Sequence, residues 1–142
     1  MPVQIKNHKV LNALLSVPYH GKLIEVICWV AFRYVDRDRP LVITSGYRAG
    51  DKGVHGTRPY CRGIDIRSST FSDPQAVVDD VNNHFTYDPF RPTHKVDGAE
   101  QPLNVAKYHE SKPGAGFHIH LQVHGRTVYN KGGKEVIEDG TG

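Results

Sequence analysis

The stretch Gly116-Phe117-His118-Ile119-His120-Leu121-Gln122-Val123 decides how this chain folds. It alternates as a half-buried strand does. Strand side chains repeat every two residues, so His118 and His120 project from one face, roughly 6.6 Å apart along the chain. Phe117, Ile119, Leu121 and Val123 project from the other face, toward a core. Histidine is the commonest metal ligand. Two imidazoles aimed together from a stiff strand make a candidate metal site. Strand geometry alone leaves open which of the two is the ligand.

A second constellation lies upstream: Thr44-Ser45-Gly46-Tyr47-Arg48, then His55, then Gly63-Ile64-Asp65-Ile66-Arg67. Leu41-Val42-Ile43 reads as a short strand entering the Ser-Gly turn. Ile64 and Ile66 alternate with polar neighbours, so Asp65 and Arg67 share the face opposite the isoleucines. A His, an Asp and a further His from separate segments form a ligand set of nitrogen and oxygen. Catalytic zinc commonly has three protein ligands and an open fourth position. Structural zinc more often has four, usually with cysteines.

The pattern Ser45-Gly46-Tyr47-Arg48, His55, Gly63-Ile64-Asp65-Ile66, Glu110-Ser111-Lys112 and His118-Ile119-His120 resembles one group of zinc peptidases. That group unites D-Ala-D-Ala carboxypeptidases, phage L-alanyl-D-glutamate endolysins, lysostaphin-like enzymes and the hedgehog amino-terminal domain. The likeness runs from about Thr44 to Val123. It implies a single Zn2+ held by His55, Asp65 and His120, and it is the resemblance that selects His120 over His118. It implies Glu110 as the catalytic carboxylate and His118 as a group beside the metal that stabilises the oxyanion. Arg48 would bind carboxylate or carbonyl groups of the substrate, as a guanidinium fork can. His109 competes with Glu110, because a shift of one residue in strand phase would turn His109 toward the metal.

The implied activity is that of a zinc metallopeptidase cutting amide bonds in bacterial peptidoglycan stem peptides, as a D,D-carboxypeptidase or an L,D-endopeptidase. A phage or prophage endolysin or virion-associated lysin is expected. The alternative is a zinc-binding structural or binding module of the same fold without catalysis.

Bulk properties narrow the setting. A chain of 142 residues with 38% hydrophobic and 23% charged residues suits one soluble domain. It divides into a helical part, 1–40, a metal-site core, 41–130, and a loose tail, 131–142. No apolar run reaches the roughly 18 residues of a membrane span. The start lacks the pattern of a signal peptide. The protein is therefore expected to be made in the cytoplasm and to meet the wall after release or as part of a virion. A net charge of +3 favours anionic polymers without specifying one. No aromatic-basic stripe or helix-turn-helix appears, so nucleic acid is not expected as a partner. A monomer is expected. Cys28 lies in an apolar helix and reads as a buried thiol, Cys61 as a bystander in a loop, and the pair suggests no disulfide framework.

The remaining elements follow from periodicity. Val10, Leu11, Leu14 and Leu15 predict a helix over 7–17, stopped by Pro18. Leu23, Val26, Ile27, Val30, Ala31 and Tyr34 form the stripe of a second, over 22–35. Strands are predicted over 41–45, 63–68, 103–108 and 116–123, with a short hairpin-paired strand over 126–129. Ser72-Asp73-Pro74 starts a third helix, with Ala76, Val77, Val78, Val81 and Phe85 inward. Residues 86–101 read as irregular. The expected fold is α+β and hedgehog/DD-peptidase-like, a small antiparallel sheet with helices on one face and a zinc site on the other.

Overall fold

Two strands with clean alternation, 63–67 and 118–122, form the middle of the sheet. A computed structural model describes residues 3–134. In chain order the elements are β1 (Val3–Ile5), α1 (His8–Ser16), α2 (Gly21–Tyr34), β2 (Leu41–Ser45), β3 (Gly63–Arg67), α3 (Pro74–His84), β4 (Phe85–Thr86), β5 (Thr93–Val96), β6 (Ala99–Pro102), β7 (Ala106–His109), β8 (His118–Gln122) and β9 (Val128–Tyr129). The class is mixed α+β. The main sheet runs β1-β2-β3-β8-β7.

Ile64, Ile66, Ile119 and Leu121 are fully buried on the back of this sheet. There α2 and α3 pack against them, supplying Leu23, Val26, Val30, Val77, Val78 and Val81. Burying side chains of this size stabilises a fold by about 1.5–3 kcal/mol each. The Asp73 side chain caps α3 by accepting from the Ala76 N–H at 3.1 Å. Removing such a cap costs about 1 kcal/mol.

Helix α1 sits elsewhere. It packs along β1 and β2, and its Lys9, Val10 and Ala13 line a cleft on the front of the sheet. The expected segregation, helices behind and site in front, describes α2 and α3; α1 instead forms a wall of the site. The expected all-antiparallel sheet is also corrected. Strand β1 pairs parallel to β2. Parallel neighbours need a long crossover connection, and α1 with α2 supplies it.

Other expectations change at the margins. Phe117 is 54% exposed and precedes β8 rather than filling the core. The third expected strand begins at Ala106, not 103, and β9 pairs with β4 rather than forming a hairpin with β8. Residues 93–102, read as irregular, form the β5–β6 hairpin. Asp97 and Gly98, with φ of 50° and 80°, make its turn. Asp-Gly suits a two-residue turn with both central φ positive. The hairpin escapes periodicity because both faces meet solvent, so no apolar alternation is needed. Ala76 is exposed. The cysteines exchange roles: Cys28 is only half-buried and Cys61 is fully buried. The tail is tied down at its start, where the Lys134 N–H donates to the Asn83 carbonyl at 2.8 Å. Residues 135–142 lie outside the described part. No described helix is long and apolar enough to cross a membrane.

Candidate metal centre

Strand register assembles most of the site. Ser45, Asp65, His120 and Lys107 lie side by side across β2, β3, β8 and β7. Arg67, His118 and His109 form the next row. Residues directly opposite in a ladder share a face. Asp65, His118, His120 and His109 therefore all point forward, away from the isoleucines.

His55 comes from outside the sheet. It sits on a short 3-10 turn, Val54–Gly56, and is buried. Two hydrogen bonds fix it. The Arg48 N–H donates to the His55 carbonyl at 2.8 Å, and His55 Nδ1 lies 2.9 Å from the Gly46 carbonyl. Gly46 is required by crowding. A Cβ there would meet the Tyr19 hydroxyl at 2.5 Å and Leu14 Cδ2 at 3.2 Å. The same Tyr19 hydroxyl accepts from the Tyr47 N–H at 2.6 Å, which holds the turn in place.

The three side chains converge. Asp65 Oδ1 lies 2.9 Å from His120 Nδ1 and 3.3 Å from His55 Nε2. His55 Nε2 and His120 Nδ1 are themselves 3.3 Å apart. Their outward nitrogens decide what the inward ones carry. A carbonyl only accepts, so His55 Nδ1, facing Gly46 O, bears the hydrogen and leaves a lone pair on Nε2. His120 Nε2 faces Gln122 Oε1 at 3.0 Å, and the Gln122 amide nitrogen donates to the Asn104 carbonyl at 2.7 Å. His120 Nε2 therefore bears the hydrogen, and Nδ1 is a bare lone pair. Two lone pairs and a carboxylate oxygen thus face one point with no proton among them.

Such an arrangement repels itself unless a cation stands at the centre. The buried His55-Asp65-His120 group can bind a metal ion, its ligating atoms all lying within 4.8 Å of one another. Outward hydrogen bonds of this kind are what orient metal-ligating imidazoles. Cys61 stays out of the group and points its Sγ at backbone carbonyls, the nearest being Gly63 O at 3.3 Å.

The other sequence-derived candidates surround this group unevenly. His118 Nε2 is 3.6 Å from Asp65 Oδ1. The Arg48 guanidinium reaches Asp65 at 3.5 Å and Asp51 at 3.7 Å while half exposed at the mouth of the cleft. Glu110 follows the end of β7, and its carboxylate accepts from the Gly116 N–H at 3.2 Å. It is not part of the cleft wall, whereas His109 is. The His109 ring lies 4.8 Å from that of His118 and 6.0 Å from that of His120, and its buried Nε2 has no partner among the described residues. Burial lowers its pKa, assisted by His118 and His120.

Sequence reading missed Gln122 and the Gly46 carbonyl, which orient the two imidazoles. Gln122 had a signal, since it shares the forward face with His118 and His120 in the same alternation. The whole group opens into a cleft of about 770 Å³. No protein-family model, curated protein or solved structure matches the chain.

Proposed function

We propose that this chain is a zinc peptidase of the kind its sequence resembles, hydrolysing amide bonds in peptidoglycan stem peptides as a phage or prophage lysin. The observation that carries the reading is the convergence of three buried ligand side chains, through His55 Nε2, Asp65 Oδ1 and His120 Nδ1, at the floor of an open cleft. Nitrogen and carboxylate ligands of this number suit catalytic zinc. Bound there, zinc would supply a Lewis acid and lower the pKa of a water ligand.

The chain's own residues supply the rest. Arg48 offers a fork to a substrate carboxylate or carbonyl. Lys6, Lys9 and Arg67 line the same cleft, and none of them pairs with an acid among the described residues. With Arg48 they outnumber the two carboxylates of the lining, Asp51 and Asp65, and a cleft with such an excess concentrates ligands of the other sign. Stem peptides, rich in carboxylates, fit that bias. The proton-handling role expected of Glu110 passes in this reading to His109, which lines the same cleft and whose buried Nε2 has no partner among the described residues. His118 Nε2, beside Asp65, is placed to donate to a developing oxyanion.

The test is mass spectrometry of fragments released from defined peptidoglycan by the zinc-loaded protein. New amine and carboxyl ends at one stem-peptide bond are expected, abolished by chelation and restored by zinc. Stoichiometric zinc with no cut bond would sink the enzyme reading and leave a binding module.

A further inference from the structure

The two imidazoles of the metal group are oriented by different means. His55 is set by a main-chain carbonyl, Gly46 O, which no side-chain substitution removes. His120 is set by a side chain. Gln122 lies two residues on in the same strand, so both project forward. It is buried, at 6% exposure, which is unusual for a glutamine on a face that carries a cleft.

Its amide has two ends with two distinct jobs. The nitrogen end donates to the Asn104 carbonyl at 2.7 Å, a group that only accepts. This contact forbids the flipped amide, which would set two carbonyl oxygens against each other. The oxygen end therefore faces His120 Nε2, 3.0 Å away. An oxygen there demands a hydrogen on Nε2, and a neutral imidazole has only one. The lone pair is forced onto Nδ1, the atom beside Asp65 and His55. The backbone holds the relay in register, because the Gln122 N–H donates to the Val105 carbonyl at 2.8 Å, next to Asn104.

We infer that Gln122 is a positioning residue: locked by the Asn104 carbonyl, its side-chain amide dictates that His120 meets the metal through Nδ1. The alternative atom, Nε2, would point the lone pair away from Asp65 and dissolve the ligand set. This inference rests on the metal centre and stands apart from the peptidase reading, so its test uses no substrate.

The decisive measurement is the tautomer of His120 in the unmodified protein, read from long-range proton–nitrogen correlations of the imidazole, with and without zinc. Hydrogen on Nε2 is expected in both. Hydrogen on Nδ1 in the zinc-free protein, or ligation through Nε2 in the loaded one, overturns the inference. Two variants add a quantitative arm, with zinc affinity read by chelator competition. Gln122→Met keeps the volume but removes the acceptor. It should mix the tautomers and weaken zinc by about 10–100-fold, the usual effect of removing a partner of a ligand. Gln122→Glu keeps an oxygen toward His120; with its second oxygen protonated and donating to the Asn104 carbonyl in place of the amide, it should preserve the tautomer and stay within about tenfold of the original affinity. A Met variant that keeps both tautomer and affinity would show that Gln122 merely fills space. Should the Met variant fail to fold, the tautomer of the unmodified protein still decides.

Discussion

The strand wall of the cleft and its loop wall hold their residues by different forces. Asp65, His118, His120 and His109 are placed by ladder hydrogen bonds that fix every second side chain forward. His55 and Arg48 are placed by a few particular contacts, chiefly Gly46 O, Tyr19 Oη and the Arg48 N–H. Glu110 stands just beyond the last ladder bond of β7 and turns to Gly116 instead. A ladder determines direction for any residue of suitable type. A loop determines it only through its own unique partners. The strand wall should therefore tolerate change around it, and the loop wall should fail at single supporting atoms.

The largest expected effect comes from breaking the strand wall at a ligand. His120→Ala should leave the fold intact and abolish stoichiometric zinc and activity together. Zinc retained at one equivalent, measured by elemental analysis, would show that a different residue ligates. Next, the two sides of the β7 terminus can be set against each other. His109→Ala should lower turnover by about 10²–10⁴, the range for losing a proton-handling group. Glu110→Gln should cost only a few-fold, roughly the effect of a loosened loop. The reverse ranking in steady-state kinetics would return the role to Glu110.

The loop wall is probed at its tightest point. Gly46→Ala drives a methyl group into Tyr19 and Leu14, and overpacking of this kind costs about 1–3 kcal/mol. Thermal unfolding should show the loss, and zinc affinity should fall with it because the His55 support moves. An unchanged melting temperature with unchanged affinity would mean the turn adapts freely.

The smallest effect concerns pH. Burial, more than any other cause, raises the Tyr19 phenol from 10.0 to about 12. A folded pKa above the unfolded one means the fold favours the neutral phenol. That contribution is complete below about pH 10 and is lost as pH climbs toward 12. Tyr19→Phe should flatten the alkaline decline in stability between those values. A decline of the same slope in both proteins would assign it to other groups.

Parts of this were legible along the chain. The alternations at 63–67 and 118–122 placed Asp65, His118 and His120 on one face, and the stripe of α2 named its buried side. The phase of β7 was not legible. Val105 and Ala106 are both buried although adjacent, because the ladder proper begins only at Ala106 while Val105 packs ahead of it. That break in alternation is why the sequence favoured Glu110 and offered His109 only as its competitor. The parallel edge strand β1 is three residues long, too short for any period to show.

By itself the sequence determined which side chains each strand presents together, since strand direction is a property of the local backbone and repeats every two residues. Only the tertiary structure decided that His55 meets Asp65 and His120, and that Gly46 and Gln122 turn the two imidazoles lone-pair inward. Those contacts join residues up to 65 positions apart. Closure of the chain, and not any local preference, brings them within a hydrogen bond's reach.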